Sequence, residues 1–348
     1  MKYVREEIAA IEGYVPGEQP QGGKYIKLNT NENPYPCSPA VTRAIVQAAE
    51  AGLAKYPDPL ATAFRRRAGE VLGVDPEWIL CGNGSDDILT IATRTFVSPG
   101  ELVRFPYPSY ILYKTLAEIQ GAQAEMIPFQ ADWSLNESFV APADRLKLVY
   151  LPNPNSPTGT VLPRAAILDI ANALPCPLLV DEAYADFAEW NCVDLVRENE
   201  KIIVSRTLSK SYALAGLRFG FAIAQPQMIE QLRKVKDSYN CDALSIAAAT
   251  AAVDDQTWLA ENRAKVIATR RRLIDGMRDL GFHAVESQAN FVWNVHESLP
   301  LRPIYEKLKA EKILVRYMDY AGWGDGLRIS VGTDEQNEAC LAMLQRMV

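Results

Sequence analysis

Lys210, at the end of Ser205-Arg206-Thr207-Leu208-Ser209-Lys210, stands where an amine nucleophile is useful. It follows the β-branched run Ile202-Ile203-Val204, has small hydroxyl residues on either side, and precedes Arg218. That setting suits an amine that forms a Schiff base beside a bound phosphate; a solvated lysine at a strand end has the same local pattern. In Val180-Asp181-Glu182-Ala183-Tyr184 an acid closes an apolar run. A carboxylate there can keep a pyridine nitrogen protonated, because a nearby negative charge favours the cation, and Tyr184 can reach an oxygen on the same ring. An N-capping aspartate is the alternative. Gly82-Asn83-Gly84-Ser85-Asp86-Asp87 opens a helical pattern whose first free N–H groups favour a phosphate. It lacks the full GxGxxG spacing, and a plain strand-to-helix turn also accounts for it. In Leu151-Pro152-Asn153-Pro154-Asn155-Ser156-Pro157-Thr158-Gly159, prolines stiffen a turn that holds a polar side chain at a sheet edge or serves only as a loop.

The elements that must position these residues read as alternating strands and helices. Strands are expected at 78–81, 102–105, 124–127, 148–151, 178–180, 202–204 and 219–222. Continuous apolar strands separated by amphipathic segments predict a largely parallel sheet covered on both faces. Ligands in such sheets sit outside the carboxyl ends of the strands, and the glycine turn, the asparagine turn, the aspartate and the lysine all fall at such ends. Helical patterns occupy 39–52 and 60–72 and dominate 226–280. Strands near 282–286, 290–295 and 326–331, interleaved with helices near 302–311 and 334–347, predict a smaller α+β unit. The fold expected is α/β: a three-layer α/β/α large domain over 36–260, a small domain over 261–348, and an extended arm over 1–35 that joins the small domain.

Composition narrows the function classes. The 348 residues are 48% apolar and 23% charged, with a formal net charge of −7, which disfavours a phosphate-neutralising nucleic-acid surface. Arg65-Arg66-Arg67 and Arg270-Arg271-Arg272 lie inside helical patterns and read as solvated helix faces. The six cysteines have no CxxC spacing, and the two histidines, His283 and His296, have no metal-ligand spacing. A reducing, cytoplasmic compartment, no metal, no membrane span and no histidine-based triad are the expectations.

The motifs then carry a resemblance. YVPGE, LNTNENPYP, KYPDP, GNGSDD, FPYPSY, NPNSPTG, VDEAY, TLSKSYALAGLRFGF, NFVWN, ILVR and GLRISVGT occur in that order over nearly the whole length. The chain resembles the fold-type I pyridoxal-phosphate aminotransferases and, within them, the histidinol-phosphate aminotransferase group. That resemblance implies pyridoxal 5'-phosphate bound to Lys210, with Asp181 at the ring nitrogen, Tyr184 and Asn155 at the ring hydroxyl and Tyr110 stacked on the ring. It implies a phosphate held by Gly84, Ser85, Asp86, Thr207, Ser209 and Arg218, and a homodimer in which Tyr56 reaches the neighbouring subunit's phosphate. Arg328 would grip the substrate anion, with Arg316, Tyr14 and Asn31 completing the pocket. Many relatives have asparagine where Ser156 stands, which leaves the ring-hydroxyl contact to Asn155 or another group, and glutamate where Asp87 stands. The activity implied is amino transfer between glutamate and imidazole-acetol phosphate, giving histidinol phosphate and 2-oxoglutarate. Aromatic amino-acid transamination, threonine-phosphate decarboxylation and a non-catalytic pyridoxal-phosphate sensor are the rival readings.

Overall fold

The structure, a computed structural model, describes residues 3–13, 17–20 and 22–348. Its strands are β1 (Ile26–Lys27), β2 (Ile79–Gly82), β3 (Leu102–Tyr107), β4 (Gln123–Pro128), β5 (Leu146–Pro152), β6 (Leu178–Asp181), β7 (Ile202–Thr207), β8 (Gly220–Ile223), β9 (His283–Ala284), β10 (Phe291–Val295), β11 (Ile313–Leu314), β12 (Arg316–Tyr320) and β13 (Gly324–Ser330). β2 to β8 form one sheet in the order β2-β8-β7-β6-β5-β3-β4. Neighbours from β7 to β4 run parallel, while β8 runs antiparallel to both β2 and β7.

The central strands carry continuous apolar runs because both faces are covered. Val149, Leu151, Val180, Ile202 and Val204 enter one buried cluster, and Leu148, Tyr150, Leu179 and Ile203 enter another on the opposite face. This alternation along each strand gives the sandwich of helices around the sheet. Each such aliphatic side chain contributes roughly 1.5–3 kcal/mol through burial, so a charge at position 203 would disrupt the fold. Edge strand β4 instead mixes half-buried and exposed positions.

A third buried cluster surrounds the second sheet, β12-β13-β10-β9, and takes in Leu28 of the arm. The arm reaches it through β1, which pairs parallel with β11 in the register Ile26 to Ile313 and Lys27 to Leu314. The helix Gln256–Asp279 runs continuously across the 260/261 boundary and sends Val266, Leu273, Ile274 and Met277 into this third cluster. Strand β12 is not anticipated by the sequence pattern; most of its residues are half-buried on both faces, so they show no clean alternation. Aromatic rings line the seam between the two sheets. Trp133, in the turn after β4, stacks on Trp323 of the β12–β13 turn at 4.5 Å between centroids and 23°, and Tyr107 meets Tyr320 edge-on at 5.9 Å. Among the described residues no helix is long and apolar enough to cross a membrane.

Candidate active site

A cavity of about 440 Å³ opens where the carboxyl ends of β5, β6 and β7 face the second sheet. Asp181 is its floor. The residue ends β6, is 5% exposed, and burial pushes its carboxyl up to about 6. Two donors oppose that shift: the Tyr113 hydroxyl bonds Oδ2 at 2.7 Å and the Ala183 N–H bonds Oδ1 at 3.2 Å. Tyr113 is itself fixed by stacking on Tyr150 at 4.7 Å and 13°.

Lys210 follows β7 on a loop that is clamped from two sides. Asn33 donates Nδ2 to the carbonyls of Lys210 and Ser211, both at 3.0 Å. The Ser211 hydroxyl donates to Asp186, which also receives Arg206 Nη2. Arg206 Nη1 in turn reaches Glu182 Oε2 at 2.9 Å, beside Asp181. Burial pushes Glu182 upward although Arg206 pulls it down. The Lys210 amine projects into the cavity, 3.3 Å from the Thr30 carbonyl oxygen and 5.7 Å above the Tyr184 ring.

At one end of the cavity the helix Ser85–Phe96 presents its first turn. Because β8 runs against β2, Gly82 at the end of β2 pairs with Gly220 at the start of β8, which brings Arg218 against Gly84. Gly84 has φ +84°, a backbone conformation that strains any other residue, and a Cβ there would lie 2.7 Å from Arg218 Nη2 and push the guanidinium aside. Arg218 donates to Asp86 Oδ2 at 3.2 Å; the pair is half-exposed and contributes little to stability. Thr207 Oγ1 donates to Ser209 Oγ at 3.0 Å beside it. Unpaired helical N–H groups, two hydroxyls and a guanidinium form a set of donors for a phosphate. At the other end β12 and β13 contribute Arg316 and Arg328. Arg328 donates to Ser156 Oγ at 3.0 Å and to the Asn29 carbonyl at 3.2 Å.

The residues present fit pyridoxal 5'-phosphate. A buried acid stands where a ring nitrogen would lie, an amine beside it, donors for a phosphate at one end, and Tyr110 along the wall. Ser85, Asp86, Tyr110, Asp181, Tyr184, Thr207, Ser209, Lys210, Arg218, Arg316, Arg328 and Asn31 all line this one cavity, and Gly84 backs it. Tyr56 does not; it is 80% exposed and stacks on Tyr239 at 4.4 Å. Tyr14 lies outside the described residues.

Asn155 does not line the cavity, whereas Ser156 does. The Asn155 amide nitrogen donates to the Pro108 carbonyl and Thr158 Oγ1 at 3.2 and 3.0 Å, and its Oδ1 is buried without a partner among the described residues. Asn31 lines the cavity, yet its side chain is spent on Tyr184 and Ser330. Tyr113, Thr30, Ser156 and Tyr320 escape sequence reasoning. Tyr113 has a usable signal, its three-residue spacing from Tyr110 at a helix start.

Residues 23–344 match the family model of the class I and II aminotransferases. A histidinol-phosphate aminotransferase from Rhodopirellula baltica is 58% identical over 347 residues, covering 99% of this chain and 96% of that protein. Histidinol-phosphate aminotransferase 1 from Trichormus variabilis is 44% identical over 347 residues, 99% of each. A crystal structure of histidinol-phosphate aminotransferase from Sinorhizobium meliloti in complex with pyridoxal-5'-phosphate superposes with a TM-score of 0.92 at 27% identity, covering 100% of this chain and 99% of that one.

Proposed function

The chain belongs to the class I and II aminotransferases, and from that premise we propose that it moves an amino group between glutamate and imidazole-acetol phosphate in histidine biosynthesis, using pyridoxal 5'-phosphate. The observation that carries this reading is the convergence of Lys210, Asp181 and Arg328 on one cavity from the ends of β7 and β6 and from β13. Bound there, the coenzyme supplies an aldehyde for amines and a ring that withdraws electrons from the substrate carbon.

The protein's own residues do the rest. Asp181 keeps its ionised oxygen beside the ring nitrogen and so favours a proton on that atom. Lys210 Nζ, once free, carries a proton from the substrate carbon toward the coenzyme. Tyr184 donates its hydroxyl proton to the ring oxygen. Tyr110 covers one ring face and keeps water from it. The first turn of Ser85–Phe96, Thr207, Ser209 and Arg218 hold the phosphate. Arg328 and Arg316 bind the substrate anion. Glutamate brings two carboxylates and histidinol phosphate a dianionic phosphate, so two guanidiniums suit both half-reactions, whereas an aromatic amino acid brings a single carboxylate. The names of the relatives likewise favour histidinol phosphate over aromatic amino acids and threonine phosphate.

Ser156 takes the place expected of Asn155 near the ring oxygen and ties Arg328 to that side of the cavity. A homodimer is part of the same reading. Support comes from exposed Val46, Leu53, Tyr56 and Leu60 beside an open groove lined by Ala44, Ala63, Ala243 and Ala247; Tyr56 would then reach the second copy's phosphate. Division into domains at about residue 260, with the arm on the small domain, is supported by the separate buried clusters. Six free cysteines favour the cytoplasm.

Borohydride reduction of the holoenzyme followed by peptide mapping tests the reading: coenzyme fixed on Lys210 is expected, and an unmodified Lys210 refutes it. Steady-state rates with histidinol phosphate, phenylalanine and threonine phosphate test the substrate, and absence of turnover with histidinol phosphate alone overturns that part.

A further inference from the structure

Asn31 occupies a left-handed backbone conformation, φ +57°, and is 1% exposed. Its backbone N–H donates to Ser330 Oγ at 2.9 Å, and Ser330 Oγ donates back to Asn31 Oδ1 at 2.9 Å. The Asn290 amide holds the Asn31 carbonyl at 3.0 Å. With the Ser330 hydroxyl accepting from the Asn31 backbone and giving its single proton to Oδ1, the carbonyl end of the Asn31 amide faces Ser330. The end left over is Nδ2, which donates to the Tyr184 hydroxyl at 3.0 Å. A phenol oxygen that accepts from an amide must send its own proton elsewhere, and Tyr184 lines the cavity.

We propose that Asn31 is a positioning residue: locked by Ser330, it sets the direction of the Tyr184 hydroxyl proton, so that Tyr184 always offers a donor to the ring oxygen of the bound coenzyme. This rests on the coenzyme reading given above. It changes the role of Asn31 from a substrate contact to a selector of hydrogen-bond polarity. The lock is carried by β13, two residues from Arg328, and the neighbouring Asn29 and Thr30 carbonyls accept from Arg328 and Lys210. Three consecutive arm residues thus touch the anion anchor, the amine and the phenol in turn. The acidic and basic groups that line the cavity with Tyr184 are Lys210 above its ring, Asp181 at the end of β6, Asp86 and Arg218 at the phosphate end, and Arg316, Asp319 and Arg328 of the second sheet.

Asn31→Asp is the informative variant, because aspartate tolerates the left-handed conformation and keeps the bond from Ser330 while replacing the amide donor by an acceptor. Tyr184 would then give its proton to the introduced carboxylate in place of the ring oxygen. A donor on that oxygen stabilises its negative charge and weakens its hold on the proton it shares with the lysine–coenzyme linkage. Losing the donor therefore raises the pH at which the absorption of the bound coenzyme changes.

The experiment is a spectrophotometric pH titration of the holoenzyme, of Asn31→Asp, of Tyr184→Phe and of the double variant. The expected result is an upward shift of about one pH unit or more in each single variant, with Asn31→Asp adding little in the Tyr184→Phe background. An equal shift in both backgrounds would mean that the new charge acts without Tyr184, and would overturn the proposal. Ser330→Ala carries the same test without a charge change: it releases the amide to reverse, and the midpoint should rise with Tyr184 present and stay put without it. If the unaltered protein binds no coenzyme, the functional reading itself fails. If it binds coenzyme and Tyr184→Phe shifts the midpoint while the Asn31 and Ser330 variants do not, this inference alone fails.

Discussion

Removing the Tyr113 hydroxyl should make the apoprotein lose stability in a way that depends on pH. Asp181 has its carboxyl raised from 3.8 to about 6, chiefly by burial, and the Tyr113 bond at 2.7 Å is the first influence that holds it down. Tyr113→Phe keeps the ring and its stacking on Tyr150, so the main loss is one donor to a buried carboxylate. A hydrogen bond to a charged group contributes about 1.5–3 kcal/mol, and each pKa unit corresponds to about 1.4 kcal/mol. The Asp181 carboxyl should therefore rise by about one to two units. The sign follows from linkage. A folded-state pKa raised above the unfolded value gives stability that is full below the unfolded pKa and is lost as pH climbs through the folded one. In the parent that loss is complete soon above pH 6, whereas in Tyr113→Phe it continues for about another one to two units. Urea denaturation of both apoproteins at fixed concentration should show a small, constant deficit near pH 5 that grows by about 1.5–3 kcal/mol near pH 8.5. A deficit of the same size at both pH values would refute the reasoning, because it would mean that Tyr113 only fills space.

Other outcomes are expected from the same geometry. Gly84→Ala forces a side chain into φ +84° and against Arg218, and should weaken coenzyme binding by about tenfold, read by fluorescence titration of the apoprotein. Arg328→Lys loses the fork that matches carboxylate and phosphate; KM for glutamate and histidinol phosphate should both rise by about ten- to a hundredfold while the coenzyme spectrum is unchanged. Asp186→Asn leaves Arg206 with Glu182 as its remaining carboxylate partner and loosens Ser211. A loss on the order of 2–4 kcal/mol in urea unfolding is expected.

The inner strands of the large sheet are legible in the sequence because burial on both faces leaves apolar runs with abrupt polar ends. Asp181 stands out for the same reason, as the first charged residue after such a run, and Lys210 stands out by its hydroxyl neighbours just beyond the next one. Strand β12 offers no such contrast, since Arg316, Tyr317 and Met318 are half-buried on both sides. The choice between Asn155 and Ser156 depends on which way a proline-rich turn faces, and residue types alone do not settle that. Tyr113 gains its meaning only on folding, when its ring stacks on Tyr150 of β5 and its hydroxyl reaches Asp181 of β6. Asn31 is visible through its motif, but its left-handed backbone and its bonds to a residue 299 positions away arise only on folding.

The stacked indoles of Trp133 and Trp323 belong to opposite sides of the seam, one following β4 and the other turning from β12 into β13. Two chromophores 4.5 Å apart exchange excitation, so their near-ultraviolet circular dichroism carries a coupled signal that disappears once they separate. The protein therefore contains its own optical gauge, one that would register any hinge motion across the cleft during turnover without an added label.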